Sequence, residues 1–156
     1  MYNKTIKSSM GYYFSGFVDG EGSFNLSFRK RDDYKTGWKI SACFNVSQKE
    51  RVILALLKKH LKCGKIRQRK DGIYNFEVNN LKAISENVIP FFNKFGFLSQ
   101  KKKQDFAKFK KIVKLMTENV HFCRDGIIKI LKIRRKMNDG GKRKFSEKMI
   151  LQNLKN

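Results

Sequence analysis

Hydrophobic and polar residues alternate along two separate stretches of the chain. The first stretch covers residues 24–31, turns at Asp32, Asp33 and Gly37, and resumes over residues 39–47. The second covers residues 65–69 and 73–78, on either side of an Asp-Gly turn. A period of two places apolar side chains on one face of a strand and polar side chains on the other. The pattern therefore predicts two β-hairpins.

Helical spacing precedes each hairpin. A first helix is expected to begin at Ser8 or Ser9, either of which is a suitable N-cap, and to end at the Gly20-x-Gly22 pair. A second helix covers residues 49–61 and is closed by Gly64. Its spacing predicts one apolar side, formed by Val52, Ile53, Leu56, Leu57 and His60.

The rest of the chain reads as helices, and the element order indicates the fold class. Helices are predicted at 81–87, from Pro90 to Gly96, and at 99–116, 124–137 and 146–154, with a basic loop at 138–144. These elements are compatible with a helical bundle or with a layered domain. We expect a single α+β domain over residues 1–156, in which a four-stranded antiparallel sheet carries helices on its apolar face.

The charge of the chain points to a polyanionic partner. Its 36 Lys and Arg residues against 13 Asp and Glu residues give a formal charge of +23 at pH 7. Nucleic acid is the favoured partner, because the charge is spread over the chain instead of forming the basic amphipathic helix of a membrane-bound protein. Neither a small-molecule substrate nor a membrane partner is expected. Since no apolar run approaches membrane length and residues 1–9 lack the apolar core of a signal peptide, we expect an intracellular protein.

The polar face of the predicted sheet carries side chains suited to reading bases. Arg binds guanine bidentately, Asn binds adenine, and a β-ribbon fits the major groove. An ordinary solvated sheet face is the alternative, but such a face usually mixes charges, and here Glu77 is the one acid among twelve residues. We favour DNA binding by Asn25, Ser27, Arg29, Arg31, Lys39, Ser41, Asn45, Lys65, Arg67, Arg69, Asn75 and Glu77.

The first predicted helix ends in an acidic, glycine-flanked turn. Asp19 and Glu21 stand beside Gly20, whose carbonyl at the helix end lacks an intrahelical partner. Hydrolysis of a phosphodiester needs a cation that neutralises charge and activates water, and hard oxygen ligands suit magnesium. A solvated turn is the simpler interpretation of two such carboxylates taken alone.

The stretch Phe14–Gly22, FSGFVDGEG, resembles the nine-residue signature of the LAGLIDADG homing endonucleases. The element order resembles the αββαββα fold of that family, with its saddle-shaped sheet, over nearly the entire chain. The resemblance implies that Glu21, at the eighth motif position, is the catalytic carboxylate and metal ligand, and that Gly20 lends its carbonyl to the metal. It implies Mg²⁺ as the cofactor, with Mn²⁺ able to substitute and Ca²⁺ bound without supporting cleavage. Glu replaces the commoner Asp of the family.

Two further segments resemble active-site stretches of the same family. Phe44 to Lys49 is similar to the strand end that carries a water-ordering glutamine, which implies a catalytic role for Gln48. Residues 100–104 are similar to the stretch with the active-site lysine, which implies Lys101, with Lys103 as the alternative. Arg51 would be a peripheral member.

A single copy of the motif implies a C2 homodimer on a near-palindromic DNA duplex. In single-motif family members the first helix forms the subunit interface, here expected to include Ser15, Gly16, Phe17 and Gly20. The family cleaves both strands and leaves short 3′ overhangs. Lys142, Arg143 and Lys144 are expected to hold flanking phosphates. The alternative function is an intron RNA-binding maturase with the same fold, and an organellar intron is the expected origin in either case.

Overall fold

The computed structural model describes residues 7–138 and 142–156. The N-terminal part contains two helix-hairpin units: α1 (Ser8–Glu21), β1 (Gly22–Lys30), β2 (Trp38–Gln48), α2 (Arg51–Leu61), β3 (Lys65–Gln68) and β4 (Tyr74–Val78). The C-terminal part is helical: α3 (Leu81–Ala83), a π-helical turn (Ile84–Val88), α4 (Ile89–Phe95), α5 (Gln100–Thr117), a 3-10 turn (Val120–Phe122), α6 (Arg124–Arg134) and α7 (Glu147–Gln152). The predicted α+β class and element order are confirmed.

The four strands form one antiparallel sheet in the order β1-β2-β4-β3. β1 is therefore an edge strand, and its first residue, Gly22, pairs with Val46 of β2. In the middle of the sheet, Asn45 pairs with Glu77 of β4. This register places the end of α1 and the end of β2 at the same end of the sheet.

The helices cover the apolar face of the sheet, as the alternation predicts. Phe24 of β1 lies at the centre of an aromatic cluster, with ring centroids 5.2 Å from Phe44 and 5.0 Å from Phe109. Trp38 and Phe28 extend the core toward the far end of the hairpin. Burial of such large apolar side chains supplies most of the driving force that fixes the helices on this face.

Two helix boundaries differ from the prediction. The N-cap of α1 is Lys7 and makes no side-chain capping bond, so neither Ser8 nor Ser9 caps the helix.

In α2 the buried residues are Leu54, Leu57 and Leu61, while Val52 and Leu56 are exposed. Lys62, in the left-handed region, caps α2 in place of Gly64. The buried side of α2 differs from the predicted side because apolar residues occupy more than one side of this helix, and packing against the sheet determines which of them are buried.

Residues 81–95 form one continuous helical segment where two helices were predicted. Asn80 caps it by accepting a hydrogen bond from the backbone nitrogen of Ala83. The π-helical turn ends at Val88, two residues before Pro90, and makes room for a residue without a backbone N–H, so the helix does not break there. Within the described residues no helix is long and apolar enough to cross a membrane. Residues 139–141 of the predicted basic loop lie outside the described ranges.

Candidate functional site

Helix α1 passes directly into β1 at Glu21 and Gly22. The Gly22 nitrogen donates a hydrogen bond to the Val18 carbonyl, and a Cβ atom at Gly22 would lie 2.5 Å from Val18 Cγ1. Only glycine fits this junction without displacement of the helix. As a result, Gly20 and Glu21 stand exposed at the open end of α1.

Asp19, two residues earlier, has a different environment. Its Oδ2 accepts hydrogen bonds from the backbone nitrogens of Leu98 (3.1 Å) and Ser99 (3.0 Å), and its Oδ1 accepts one from the Ser99 hydroxyl. Partial burial acts to raise the pKa of Asp19, but these hydrogen bonds and the charge of Lys102 outweigh it and lower the pKa. Asp19 thus joins α1 to the N-terminus of α5.

The lysine run at the start of α5 has three different placements. Lys102 is half-buried and its Nζ donates a hydrogen bond to the Gly22 carbonyl. Burial is the main cause that lowers the pKa of Lys102, with neighbouring Lys101 acting in the same direction. Lys101 is exposed and lines a cleft together with Asp19 and Gly20, whereas Lys103 is exposed outside that cleft. The geometry favours Lys101 over Lys103 as the lysine beside the motif.

Gln48 is the last residue of β2. Val46, two residues before it, pairs with Gly22, so Gln48 lies at the same end of the sheet as the end of α1. Gln48 is half-buried, and Arg51, at the first position of α2, is exposed. Gln48 and Glu21 therefore lie at the same end of the sheet, and Arg51 follows at the start of α2.

Ten of the twelve predicted DNA-contacting residues lie on strands and share the face opposite the core. Cross-strand pairs along this face include Ser27 with Ser41, Arg29 with Lys39, and Arg67 with Asn75. The strand members are Asn25, Ser27, Arg29, Lys39, Ser41, Asn45, Lys65, Arg67, Asn75 and Glu77. Ser23, Cys43 and Ser47 belong to the same face and were not predicted as contacts.

The other two, Arg31 and Arg69, lie in turns beyond the strand ends. Arg31 forms an ion pair with Asp33 at 2.7 Å, and Arg69 forms one with Asp71 at 2.6 Å. Both pairs are exposed, so each contributes little to stability and can be exchanged for another anion at small cost. These arginines belong to the rim of the face instead of its strands.

A cleft of about 830 Å³ extends along the outer edge of β1. One wall is β1 itself with the start of α5, and the other consists of Arg134, Met137, Asn138 and residues 142–145. The described basic residues of the predicted loop line this second wall, where Lys142 and Lys144 are exposed and Arg143 is half-buried. Arg143 donates hydrogen bonds to the carbonyls of Arg134 (2.8 Å) and Met137 (3.0 Å), which closes the end of α6.

Arg134 is a cleft residue that the sequence did not indicate. Only 7% of it is exposed, and its guanidinium carbon lies 4.7 Å from the centroid of the Phe28 ring. Burial, followed by the charge of Arg143, lowers the pKa of Arg134 to about 10, so the side chain stays protonated at neutral pH. Helical spacing marks Arg134 only as one of several basic residues at the end of α6, and its stacking on β1 depends on a contact far along the chain.

One face of α1 is exposed and has small residues at its centre. A Cβ atom at Gly16 or Gly20 would meet nothing within 4 Å. Tyr12 and Tyr13, 61% and 58% exposed, flank these glycines on the same face. Phe17 is half-buried at its margin. The prediction that Ser15 belongs to this face is wrong: Ser15 is buried and its hydroxyl donates a hydrogen bond to the Gly96 carbonyl.

The donor set for a metal is small in one chain. Among residues 7–138 and 142–156 there is no group of three or more His, Cys, Asp or Glu side chains able to hold a metal ion. What the chain offers at the end of α1 is the exposed Glu21 carboxylate and the Gly20 carbonyl, both hard oxygen donors. This set fits a cation that prefers hard oxygen ligands, such as Mg²⁺, if further oxygen ligands come from outside these two residues.

The family model described as LAGLIDADG endonuclease matches residues 14–113. A Neurospora crassa protein named "Probable intron-encoded endonuclease 2" is 33% identical over 132 residues, which are 82% of this chain and 29% of that protein. The chain therefore spans less than a third of this relative's length.

Two solved structures show different coverage. The homing endonuclease I-TnaI is 31% identical with a TM-score of 0.79, and the match covers 95% of both chains. I-SmaMI, solved with an uncleaved DNA target in the presence of calcium ions, is 30% identical with a TM-score of 0.81. That match covers 89% of this chain and 47% of the I-SmaMI chain. The chain is thus similar to nearly all of one structure and to about half of the other.

Proposed function

Because the chain belongs to the LAGLIDADG endonuclease family, we propose that it is a site-specific DNA endonuclease that cuts both strands of a long near-palindromic site. The observation that carries the proposal is the placement of Glu21, exposed at the helix end, next to a basic cleft and to the polar face of the sheet. The Glu21 carboxylate forms no hydrogen bond or ion pair within the described part of the chain, so it is available to bind a metal.

The polar face of the sheet is the proposed DNA-binding surface. Its strands carry Arg, Lys, Asn and Ser side chains in alternation, and an antiparallel ribbon of this kind fits the major groove. The cleft beside β1 adds Arg134, Arg143 and the two exposed lysines of the loop. These cations would bind phosphates of the DNA backbone beside the sheet. The cleft would then supply most of the affinity for DNA, and the polar face of the sheet would select the sequence.

Magnesium is the proposed cofactor, held by the Glu21 carboxylate and the Gly20 carbonyl. When bound, the ion supplies charge neutralisation at the scissile phosphate and a more acidic water. Gln48 would orient water near the end of α1, and Lys101 would stabilise the negative charge that develops on the phosphate. Asp19 takes no part in binding the ion, because its oxygens accept hydrogen bonds from Leu98 and from Ser99, the N-cap of α5.

A second copy of the chain is the proposed partner on the exposed face of α1. Gly16 and Gly20 leave space for a close helix approach, and Tyr12 and Tyr13 supply apolar area beside them. Leu98 is 92% exposed, and its backbone nitrogen binds Asp19, so a large apolar side chain also stands at the end of this face. A two-fold axis along α1 would bring both Glu21 carboxylates together and complete the shared metal site.

The name of the Neurospora relative agrees with an origin in an intron, and an organellar intron remains our prediction. The maturase alternative is separated from the endonuclease by competition between a selected DNA duplex and intron RNA, and preference for RNA would reverse the assignment.

The proposal is tested by incubating the purified chain with a randomised duplex library and Mg²⁺ and by sequencing the cleaved products. We expect one near-palindromic site cut on both strands with short 3′ overhangs, and no products when a chelator is added. Cleavage that is insensitive to the chelator would contradict the metal assignment. Failure to enrich any sequence would contradict the endonuclease assignment.

A further inference from the structure

Asn138 connects the second wall of the cleft to the edge strand of the sheet. It follows the end of α6 with a φ of 51°, a left-handed conformation that Asn tolerates better than most residues. Its backbone nitrogen donates a hydrogen bond to Oδ1 of Asp105 in α5 at 3.1 Å. Its side-chain Nδ2 donates to the Phe24 carbonyl at 2.9 Å and to Oδ1 of Asn25 at 3.2 Å. One residue thus joins α6, α5 and β1.

This network fixes the orientation of the Asn25 amide. A backbone carbonyl can only accept, so the group of Asn138 that faces Phe24 must be its NH2. The same NH2 faces Asn25, which means that Asn25 must turn its oxygen toward it. Ser23 donates its hydroxyl to that same oxygen at 3.2 Å. The Asn25 oxygen is therefore occupied by two donors inside the protein.

The amide nitrogen of Asn25 is left available to a ligand in the cleft. Asn25 is half-buried and lines the cleft. In the described part of the chain, its side chain takes part in hydrogen bonds only through Oδ1. A bidentate contact with adenine requires one acceptor and one donor from the same amide. The adenine contact expected of Asn25 from residue type alone would break this network.

We infer that Asn138 is a positioning residue for specificity, which holds Asn25 so that it presents only hydrogen-bond donors to DNA. The inference rests on the proposed endonuclease function and names the base chemistry that one site residue selects. A donor favours the major-groove acceptors of guanine, thymine or adenine N7 and disfavours cytosine, whose edge carries an N4 amine. On the strand that Asn25 contacts, cytosine is excluded at one position of each half-site.

The test is a binding selection from a randomised duplex library, read by sequencing, with wild type, Asn25→Asp and Asn138→Gly. Asn25→Asp keeps an oxygen for Ser23 and Asn138 and replaces the exposed NH2 by an acceptor. We expect wild type to select against cytosine at the contacted position and Asn25→Asp to enrich cytosine or adenine there by about tenfold. Gln104→Glu is the charge control, because it introduces one negative charge at an exposed residue of α5 outside the proposed binding surface and should leave that position unchanged.

Asn138→Gly tests the positioning role. Glycine adopts a φ of 51° without strain, so the substitution removes the side-chain hydrogen bonds and retains the backbone conformation. Freed from Asn138, Asn25 can turn its amide, and we expect cytosine to be tolerated at the contacted position while total affinity changes less than threefold, roughly the scale of a surface substitution. Thermal unfolding of each variant verifies that the fold is retained.

The possible failures are distinguishable. A wild-type chain that selects no sequence would overturn the proposed function and the inference with it. A sequence-selective wild type whose base preferences are unchanged by Asn25→Asp would overturn only the inference about Asn25. An unchanged profile for a folded Asn138→Gly variant would overturn the positioning role of Asn138.

Discussion

The carboxylate of Asp19 accepts a hydrogen bond from the backbone nitrogen of Ser99 at 3.0 Å. This contact separates two acids that the sequence places only two residues apart. Asp19 is committed to joining α1 with the N-terminus of α5, while Glu21 stands exposed where α1 passes into β1. Substitution of Asp19 should therefore affect stability, and substitution of Glu21 should affect cleavage, so the two roles can be tested separately.

Replacement of Asp19 by Ala should destabilise the fold. The variant loses the acceptor for Leu98 and for Ser99, the N-cap of α5, a loss of about 1–2 kcal/mol in the free energy of unfolding. Urea unfolding measures this difference. Glu21→Ala is the control and should unfold within about 0.5 kcal/mol of wild type. Equal stability of Asp19→Ala and wild type would show that the contact carries no free energy.

The contribution of Asp19 should depend on pH. Because its pKa is lowered in the folded state, the ionised carboxylate adds stability above its unfolded pKa of about 3.9, and this stability is lost as pH falls through the folded pKa. The difference in unfolding free energy between wild type and Asp19→Asn should be constant from pH 8 to about pH 5 and decrease below about pH 4. A difference that persists unchanged at pH 2 would contradict the assignment.

Substitution of two glycines of α1 should affect different properties: dimerisation for Gly16 and folding stability for Gly11. Gly16 faces open space, so Gly16→Leu should leave the folded monomer intact and raise the dissociation constant of the dimer by about tenfold or more. Gly11 lies against the Phe95 ring, where an added Cβ would come within 2.1 Å of Cζ. Gly11→Ala should therefore lower the free energy of unfolding by about 1–3 kcal/mol.

Analytical ultracentrifugation at several concentrations, combined with thermal unfolding, separates the two effects. If Gly16→Leu dimerises as well as wild type, the exposed face of α1 is not the interface. If Gly11→Ala is as stable as wild type, the packing of α1 against α4 is looser than the distances indicate.

The two exposed lysines near the start of α5 should differ in catalysis. Lys101 lines the cleft beside Gly20, whereas Lys103 lies outside it. We expect Lys101→Ala to lower the single-turnover cleavage rate by about a hundredfold, the scale of a lost charge-stabilising group, and Lys103→Ala to change it less than about twofold. The reverse order would assign the catalytic lysine to Lys103 and require a different position of the phosphate.

The alternation of residues was sufficient to predict the sheet, because a half-buried strand must place apolar side chains at every second position. It places Phe24, Phe44 and Phe76 on the apolar face of the sheet, and all three are buried. Helical spacing failed to predict the buried side of α2, where apolar residues occupy more than one face of the helix. The interface prediction failed for Ser15, whose hydrogen-bond partner Gly96 lies 81 residues away. Asn138 was beyond reach for the same reason, since its contact with Asn25 joins positions 113 residues apart.

The central claim, that Glu21 binds the catalytic metal and Asp19 does not, is tested most directly by the cleavage rates of Glu21→Gln and Asp19→Asn on the selected site with Mg²⁺. Both variants remove one negative charge and preserve side-chain shape, so they form a matched pair. We expect Glu21→Gln to bind the duplex and give no detectable cleavage, while Asp19→Asn retains cleavage. Undiminished cutting by Glu21→Gln, or its loss only in a folded Asp19→Asn, would contradict the account.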